Sequence, residues 1–179
     1  MAEAYEKPET ILRGSSFQQE EFILRLIEEG DNPHIAHVIC RVMPEFGASG
    51  SGFAINDPEV SDMYQAYSQG RAVYFVLCRK DVVVGGAGIA PLEGGPEEVC
   101  ELRKMYFLPE ARGKGFGQRL LDKCLTAAVA KGFKRCYLET LKDMTRARKL
   151  YEKNGFLPLD KPMGNTGHYS CDAWYARIL

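Results

Sequence analysis

Hydrophobic and polar positions change period several times along the 179-residue chain. No apolar period is sustained over 1–20, which predicts a flexible N-terminal extension or a loosely docked one. Residues 22–27 (Phe-Ile-Leu-Arg-Leu-Ile) then read as a first strand. Asn32-Pro33 opens a helix, with Asn as the cap and proline at the first helical position. Ile35, Val38, Ile39, Val42 and Met43 follow at the spacing of one buried stripe, which Pro44 ends. A Gly/Ser-rich loop over 47–52 leads to a second capped start at Asp57-Pro58, with Val60, Met63, Tyr64 and Tyr67 as its apolar face. Three strands over 72–79, 82–92 and 99–107 are joined by turns at Lys80-Asp81 and at 92–96. A helix over 118–131 buries Leu120, Leu121, Cys124, Leu125 and Ala128, and Gly132 stands where a C-terminal cap belongs. After a short strand over 136–141, Asp143 is a cap for a helix with Ala147, Leu150 and Tyr151 on its apolar face and Gly155 at its end. Strands at 156–159 and 173–178 close the pattern. The order β-α-α-β-β-β-α-β-α-β-β, with no internal repeat or linker, predicts one α/β domain over 21–179 around a mixed sheet.

Composition narrows the class. At 45% hydrophobic and 26% charged, the chain is of ordinary globular make-up and long enough to bury one core without staples. The longest apolar run, 72–78, is too short to span a bilayer, and the N-terminus lacks a basic-then-apolar signal pattern. Six cysteines at 40, 78, 100, 124, 136 and 171 form no CxxC pair and read as reduced thiols of a cytoplasmic protein. His34 and His37 lack an obvious third ligand, so no metal is expected. Net charge is −1, but residues 1–100 hold 7 Lys+Arg against 16 Asp+Glu while 101–161 hold 15 against 7. A basic stretch inside a near-neutral chain suits a local anionic ligand better than nucleic acid, which favours a basic domain throughout. For most of the individual lysines, a solvated helix face is the accepted reading.

The chemistry concentrates after the strand over 99–107. Glycines at 113, 115 and 117 form a turn that enters a helix at once. Such a turn brings backbone N–H groups close to a ligand, and the helix N-terminus adds the positive end of a dipole. Arg112, Lys114 and Arg119 add charge suited to phosphate. A P-loop is excluded because no GxxxxGK[ST] is present. A GxGxxG fingerprint fails because positions 118 and 120 are Gln and Leu; the near-miss from Gly86 fails at Pro91. The pattern that fits is Arg/Gln-x-x-Gly-x-Gly/Ala, at Arg112, Gly115 and Gly117.

With this motif, and with Ala147-Arg-Lys-Leu-Tyr-Glu-Lys-Asn-Gly-Phe156 in the form AxxLYxxxGF, the sequence resembles the GNAT superfamily of acyl-CoA-dependent N-acyltransferases over about residues 22–179. The resemblance implies a single-domain GNAT fold: a mixed, mostly antiparallel sheet of about seven strands with flanking helices and a splayed central strand pair. It implies acetyl-CoA as acyl donor, with the pyrophosphate on the backbone of Arg112, Gly113, Lys114, Gly115, Phe116, Gly117 and Gln118. Pantetheine would lie along the backbone of Met105, Tyr106 and Phe107, whose side chains also serve the core. Tyr151 is the implied general acid for the departing thiolate, although a core aromatic would look the same. Glu101 is the implied general base, since an amine of pKa near 10 is mostly ammonium at neutral pH; His168, a water chain, or a purely salt-bridged Glu101 are the alternatives. A backbone N–H near 105–107 would stabilise the oxyanion.

One departure is Met144, where many relatives carry a cofactor-contacting Asn. The resemblance assigns acceptor recognition to the loops 44–53 and 164–174, in which Glu45 and Asp172 could hold an ammonium group unless they are ordinary surface charges. The implied reaction is direct attack by a primary amine of a small molecule or peptide in a ternary complex. A cysteine-acyl route lacks a His or Lys partner for any thiol. A non-catalytic acyl-CoA sensor is the alternative from another class. A hydrolase using Ser170, His168 and Asp172 lacks a GxSxG elbow and draws all three from one loop. Edge strands and an apolar C-terminal strand are compatible with a homodimer.

Overall fold

The computed structural model describes residues 4–14 and 20–179. Eight strands make one sheet: β1 (Glu9–Arg13), β2 (Glu20–Leu26), β3 (Val73–Arg79), β4 (Val82–Pro91), β5 (Val99–Phe107), β6 (Arg135–Thr140), β7 (Leu157–Leu159) and β8 (Ala173–Ile178). Their spatial order is β1-β2-β3-β4-β5-β6-β8-β7, and every neighbouring pair is antiparallel except β5–β6. The helices are α1 (Asn32–Val42), α2 (Met63–Tyr67), α3 (Phe116–Ala130) and α4 (Thr145–Lys153).

β3 explains the two-layered core. Its run Val-Tyr-Phe-Val-Leu-Cys is buried throughout because both faces of the sheet are covered. Val73, Phe75 and Leu77 pack toward Phe116, Leu120 and Cys124 of α3. Tyr74, Val76 and Cys78 pack toward Ile35, Val38 and Ile39 of α1 and Met63 of α2. Side-chain alternation along the strand therefore divides one apolar run between two clusters.

Several expectations change. Against the expected flexible or loosely docked extension over 1–20, the described part is docked: β1 adds an eighth strand to the expected seven, pairing with β2 and burying Ile11, and Tyr5 also enters the core. Residues 1–3 and 15–19 of that expectation lie outside the described residues. Asn32 is not the cap of α1. It is the first helical residue, and its side chain accepts from Tyr64 N at 2.8 Å and donates to Asp62 at 2.8 Å, joining α1 to α2. Asp57 takes the N-cap position of a 3-10 turn, Pro58–Ser61, with no side-chain capping bond, and it is Asp62 that caps α2 by accepting from Gln65 N. Asp143 lies one residue before the cap position of α4, which Met144 occupies. The apolar C-terminal strand β8 is interior, between β6 and β7, and leaves the edges to β1 and β7.

The Gly86–Gly88 segment, a near-miss for a nucleotide turn, is the middle of β4. A Cβ on Gly88 would lie 2.4 Å from Tyr74 Cδ2 and 2.6 Å from Val73 O. Those glycines let the Tyr74 ring cross β4, so that its hydroxyl donates to Lys104 O at 2.7 Å. Gly88→Ala is accordingly expected to destabilise by about 2–3 kcal/mol, an overpacking cost read as a lower urea midpoint.

Candidate active site

β5 and β6 pair over only three rungs, Val99–Arg135, Cys100–Cys136 and Glu101–Tyr137. Beyond Glu101 they separate, although β5 continues to Phe107 and β6 to Thr140. The register with β4 also slips there: Gly86 faces Tyr106 while Gly88 faces Arg103, so β5 carries an extra residue. Lys104 takes φ +50° at this bulge. A bulge bends and twists its strand, and here it turns Arg103 and Lys104 toward the same partner, Glu59. The fork opens a cleft of about 60 Å³, with Met105 and Tyr106 on the β5 side, Glu139 and Thr140 on the β6 side, and Tyr151 of α4 among its walls.

The glycine turn stands beside this fork. Gly113 and Gly115 have φ of +73° and +82°, in the left-handed region that favours glycine. A Cβ on Gly113 would meet nothing within 4 Å, so the space over that glycine is open, while one on Gly115 would lie 3.5 Å from Arg13 Nη2. Gly115 is the N-cap of α3, and the first amides of the helix have no intrahelical acceptor. α3 begins at Phe116, two residues earlier than the pattern predicts, which brings Phe116 and Gly117 into the anion-facing first turn.

The neighbouring side chains serve the scaffold. Gln118 exchanges amide hydrogen bonds with Asn154, at 2.7 and 3.0 Å, tying α3 to the end of α4. Arg112 donates through Nε to Phe107 O at 2.7 Å and through Nη1 to Glu45 at 2.7 Å. Its Nη2 is buried and has no hydrogen-bond partner among the described residues. Lys114 Nζ lies 5.1 Å from the centroid of the Phe22 ring. An open glycine turn, unsatisfied helix amides and a buried unpaired guanidinium nitrogen fit an anionic group such as a pyrophosphate.

Of the strand residues, Met105 and Tyr106 line the cleft. Phe107 is outside it, its ring packed where a Cβ on Gly85 would lie 2.5 Å away and its carbonyl held by Arg112. Tyr151 is only 6% exposed, and its hydroxyl stands 3.9 Å from Met105 Sδ. Burial pushes the phenol well above its ordinary pKa, so it is a neutral donor throughout the physiological range.

Glu101 occupies the last paired rung, just below the cleft, and is 2% exposed. Burial raises its pKa, opposed by Arg103, whose Nε donates to it at 2.7 Å. His168 Nδ1 is 3.9 Å away, while its Nε2 is 3.0 Å from Asp57. Burial alone would lower the His168 pKa, but the hydrogen bond and charge of Asp57 prevail and raise it. The Lys104 ammonium, with a side chain 1% exposed, bonds to Asp57 at 2.6 Å and Glu59 at 2.5 Å. Asp57, Glu59, Lys104 and Glu139 are the residues that sequence reasoning missed. Two successive cations inside an apolar strand, Arg103-Lys104, were the available signal for the network.

Other candidates resolve differently. Glu45 is committed to Arg112, and Asp172 accepts from Lys142 N at 2.8 Å. Ser170 donates to Ser51 O at 2.9 Å, so Ser170, His168 and Asp172 bind three separate partners and form no triad. Burial pushes the Cys171 thiol up to about 12, which keeps it from acting as a thiolate nucleophile. Met144 lines the cleft and lies 3.5 Å from Thr140 Oγ1, occupying the place of the expected polar contact with an apolar chain. Among the described residues, no group of three or more His, Cys, Asp or Glu is placed to hold a metal ion, and no helix is long and apolar enough to cross a membrane.

A mostly antiparallel sheet that forks beside a glycine-rich helix N-terminus has the form implied by the resemblance to acyl-CoA-dependent acyltransferases. The acetyltransferase (GNAT) family model matches residues 42–156. The uncharacterized N-acetyltransferase YjgM of Escherichia coli (strain K12) is 44% identical over 158 residues, covering 88% of this chain and 95% of that protein. A GNAT-family acetyltransferase structure from Staphylococcus aureus Mu50 matches with a TM-score of 0.76 at 18% identity, over 88% of this chain and 98% of that one. The PaiA N-acetyltransferase of Thermoplasma acidophilum, solved in complex with coenzyme A, matches with a TM-score of 0.66 at 16% identity, over 88% and 99% of the two chains. The chain therefore belongs to the GNAT family of acetyltransferase enzymes, for which acetyl-CoA-dependent acetyl transfer is the general activity.

Proposed function

We propose that this protein transfers an acetyl group from acetyl-CoA to a primary amine by direct attack within a ternary complex. The observation that carries the reading is the fork past Glu101, which opens beside the glycine turn and exposes strand backbone to a cleft walled by Tyr151. When bound, acetyl-CoA supplies a thioester-activated acetyl group.

The backbone amides of residues 113–118 would hold the pyrophosphate, with Arg112 Nη2 available to it, while the Arg112 amide itself donates to Pro109 O at 3.1 Å. The backbone of Met105 and Tyr106, which line the cleft, would orient the pantetheine arm in the fork, and an N–H of this segment would stabilise the developing negative charge. Phe107 contributes by fixing this strand, through its carbonyl bond to Arg112. The Tyr151 hydroxyl donates to the departing sulfur. Glu101 receives the acceptor's proton at one remove, because its carboxylate is buried below the cleft rather than in its lining. The raised pKa of Glu101 makes it a stronger base than an exposed carboxylate, while Arg103 keeps the charged form accessible.

Glu101→Gln tests the assignment. The active form carries an ionised Glu101, so activity falls as pH drops through its raised pKa. The variant is expected to lose that acidic limb and about 100-fold in kcat. A variant retaining both rate and limb would exclude Glu101 as the base. Saturable acetyl-CoA binding without turnover across an amine panel would favour a sensor over an enzyme.

A further inference from the structure

On the acceptor side of the fork, cations and carboxylates are matched one against another, with a single carboxylate left over among the described residues. Lys104 is engaged by Asp57 and Glu59, Arg103 by Glu101, and His168 by Asp57. Arg112, beyond the fork, is engaged by Glu45. Glu139 lines the cleft and has no salt-bridge partner among the described residues. Its position is nevertheless fixed: Tyr137 Oη donates to Oε1 at 3.0 Å and Thr166 Oγ1 donates to the same oxygen at 2.7 Å. Oε2 remains without a hydrogen-bond partner among the described residues.

The remaining acceptor-side wall is largely apolar, including Met43, Ala48, Phe53 and Leu141. Among the described residues, Lys104 is the one cationic residue in the cleft lining; its side chain is 1% exposed and its ammonium is turned toward Asp57 and Glu59. An ammonium group entering such a space needs a countercharge to replace its water, and Glu139 supplies one. A carboxylate beside that ammonium would meet no available cation among the described residues and would approach Glu139 as a like charge.

We propose that the acceptor is a primary amine on an apolar body, with no carboxylate adjacent to the nitrogen, and that Glu139 holds its ammonium group. This specificity rests on the acetyl-transfer reading above. Phenethylamine and phenylalanine are suitable probes because they differ only in the α-carboxylate. With saturating acetyl-CoA, kcat/KM is expected to favour phenethylamine by about 100-fold or more, the size of a like-charge penalty of several kcal/mol. Glu139→Gln is expected to raise KM for phenethylamine by about 10- to 100-fold, with kcat changed far less and acetyl-CoA Kd unaltered. Thr166→Val, which removes one of the orienting donors, is expected to raise the same KM by about 5-fold and provides a second test that keeps the carboxylate.

Equal or better use of phenylalanine would overturn the proposal. So would an unchanged KM in both folded variants, or acetyl-CoA binding by the wild type with transfer to neither probe. Calorimetry of the wild type with acetyl-CoA separates these outcomes from failure of the donor reading, in which no donor binding is seen and the acceptor assignment falls with it.

Discussion

Tyr151→Phe is expected to lower kcat for acetyl transfer by about 100- to 1,000-fold while leaving acetyl-CoA Kd within about 3-fold of wild type. The size follows from the proposed role, in which a positioned donor to the leaving sulfur is removed. The selectivity follows from the packing. The Tyr151 ring lies against Phe156 and Tyr175, with centroids 5.9 and 6.5 Å away, and phenylalanine preserves those contacts. The hydroxyl makes only a long contact of 3.9 Å to Met105 Sδ, so its loss leaves no strong acceptor unsatisfied. Since burial holds the phenol neutral, the deficit should extend across neutral pH instead of appearing on one limb. Steady-state kinetics and calorimetry on the same preparation provide the check. A kcat within about 3-fold of wild type at every pH would remove Tyr151 from the mechanism.

Lys104→Met is expected to cost about 3 kcal/mol of folding stability, seen as a lower urea midpoint with little change in slope. Methionine fills most of the lysine's volume but cannot donate to Asp57 or Glu59. Both carboxylates are three-quarters buried at the side chain, and removing one partner of a buried pair leaves charge that water cannot fully solvate. His168 still reaches Asp57, and Tyr67 still donates to Glu59 at 3.3 Å, which limits the loss. The effect also has a pH signature. Burial pushes the Asp57 pKa up, but hydrogen bonds from His168 and Lys104 with their charges outweigh it and hold it below the ordinary Asp value. The stabilisation is therefore present above the unfolded pKa and lost as pH falls through the folded one. The gap between wild type and Lys104→Met should narrow in acid. A gap under about 1 kcal/mol at neutral pH would show that the network carries little stability.

Elements with their own periodicity were legible in the sequence. The stripe Ile35, Val38, Ile39 and Val42 defined α1 because helical spacing and burial coincide there. The glycine turn was legible because its backbone angles restrict the residue type. β1 was missed because only Ile11 of its five residues is buried, giving no alternation to detect. Its existence depends on pairing with β2, a tertiary fact.

Caps failed for the same reason. Asn32 and Asp57 have the right chemistry to cap a helix, yet distant partners claim both side chains: Tyr64 for Asn32, and His168, 111 residues along the chain, for Asp57. The motif positions made the proposed donor side legible as a glycine turn entering α3, because close approach to an anion dictates glycine. The acceptor side was not legible, since it is assembled from separate segments and depends on a bulge at Lys104 that turns two successive strand residues to one partner.

The most direct test of the central claim is calorimetric titration of acetyl-CoA into the wild type and into Gly115→Val. Gly115 has φ +82°, so a β-branched side chain there strains the turn that presents the amides. Saturable 1:1 binding to the wild type is expected, weakened by about 100-fold or more in a folded Gly115→Val protein. Absence of binding to folded wild type, or equal affinity in the two proteins, would contradict the assignment of the glycine turn as the donor site.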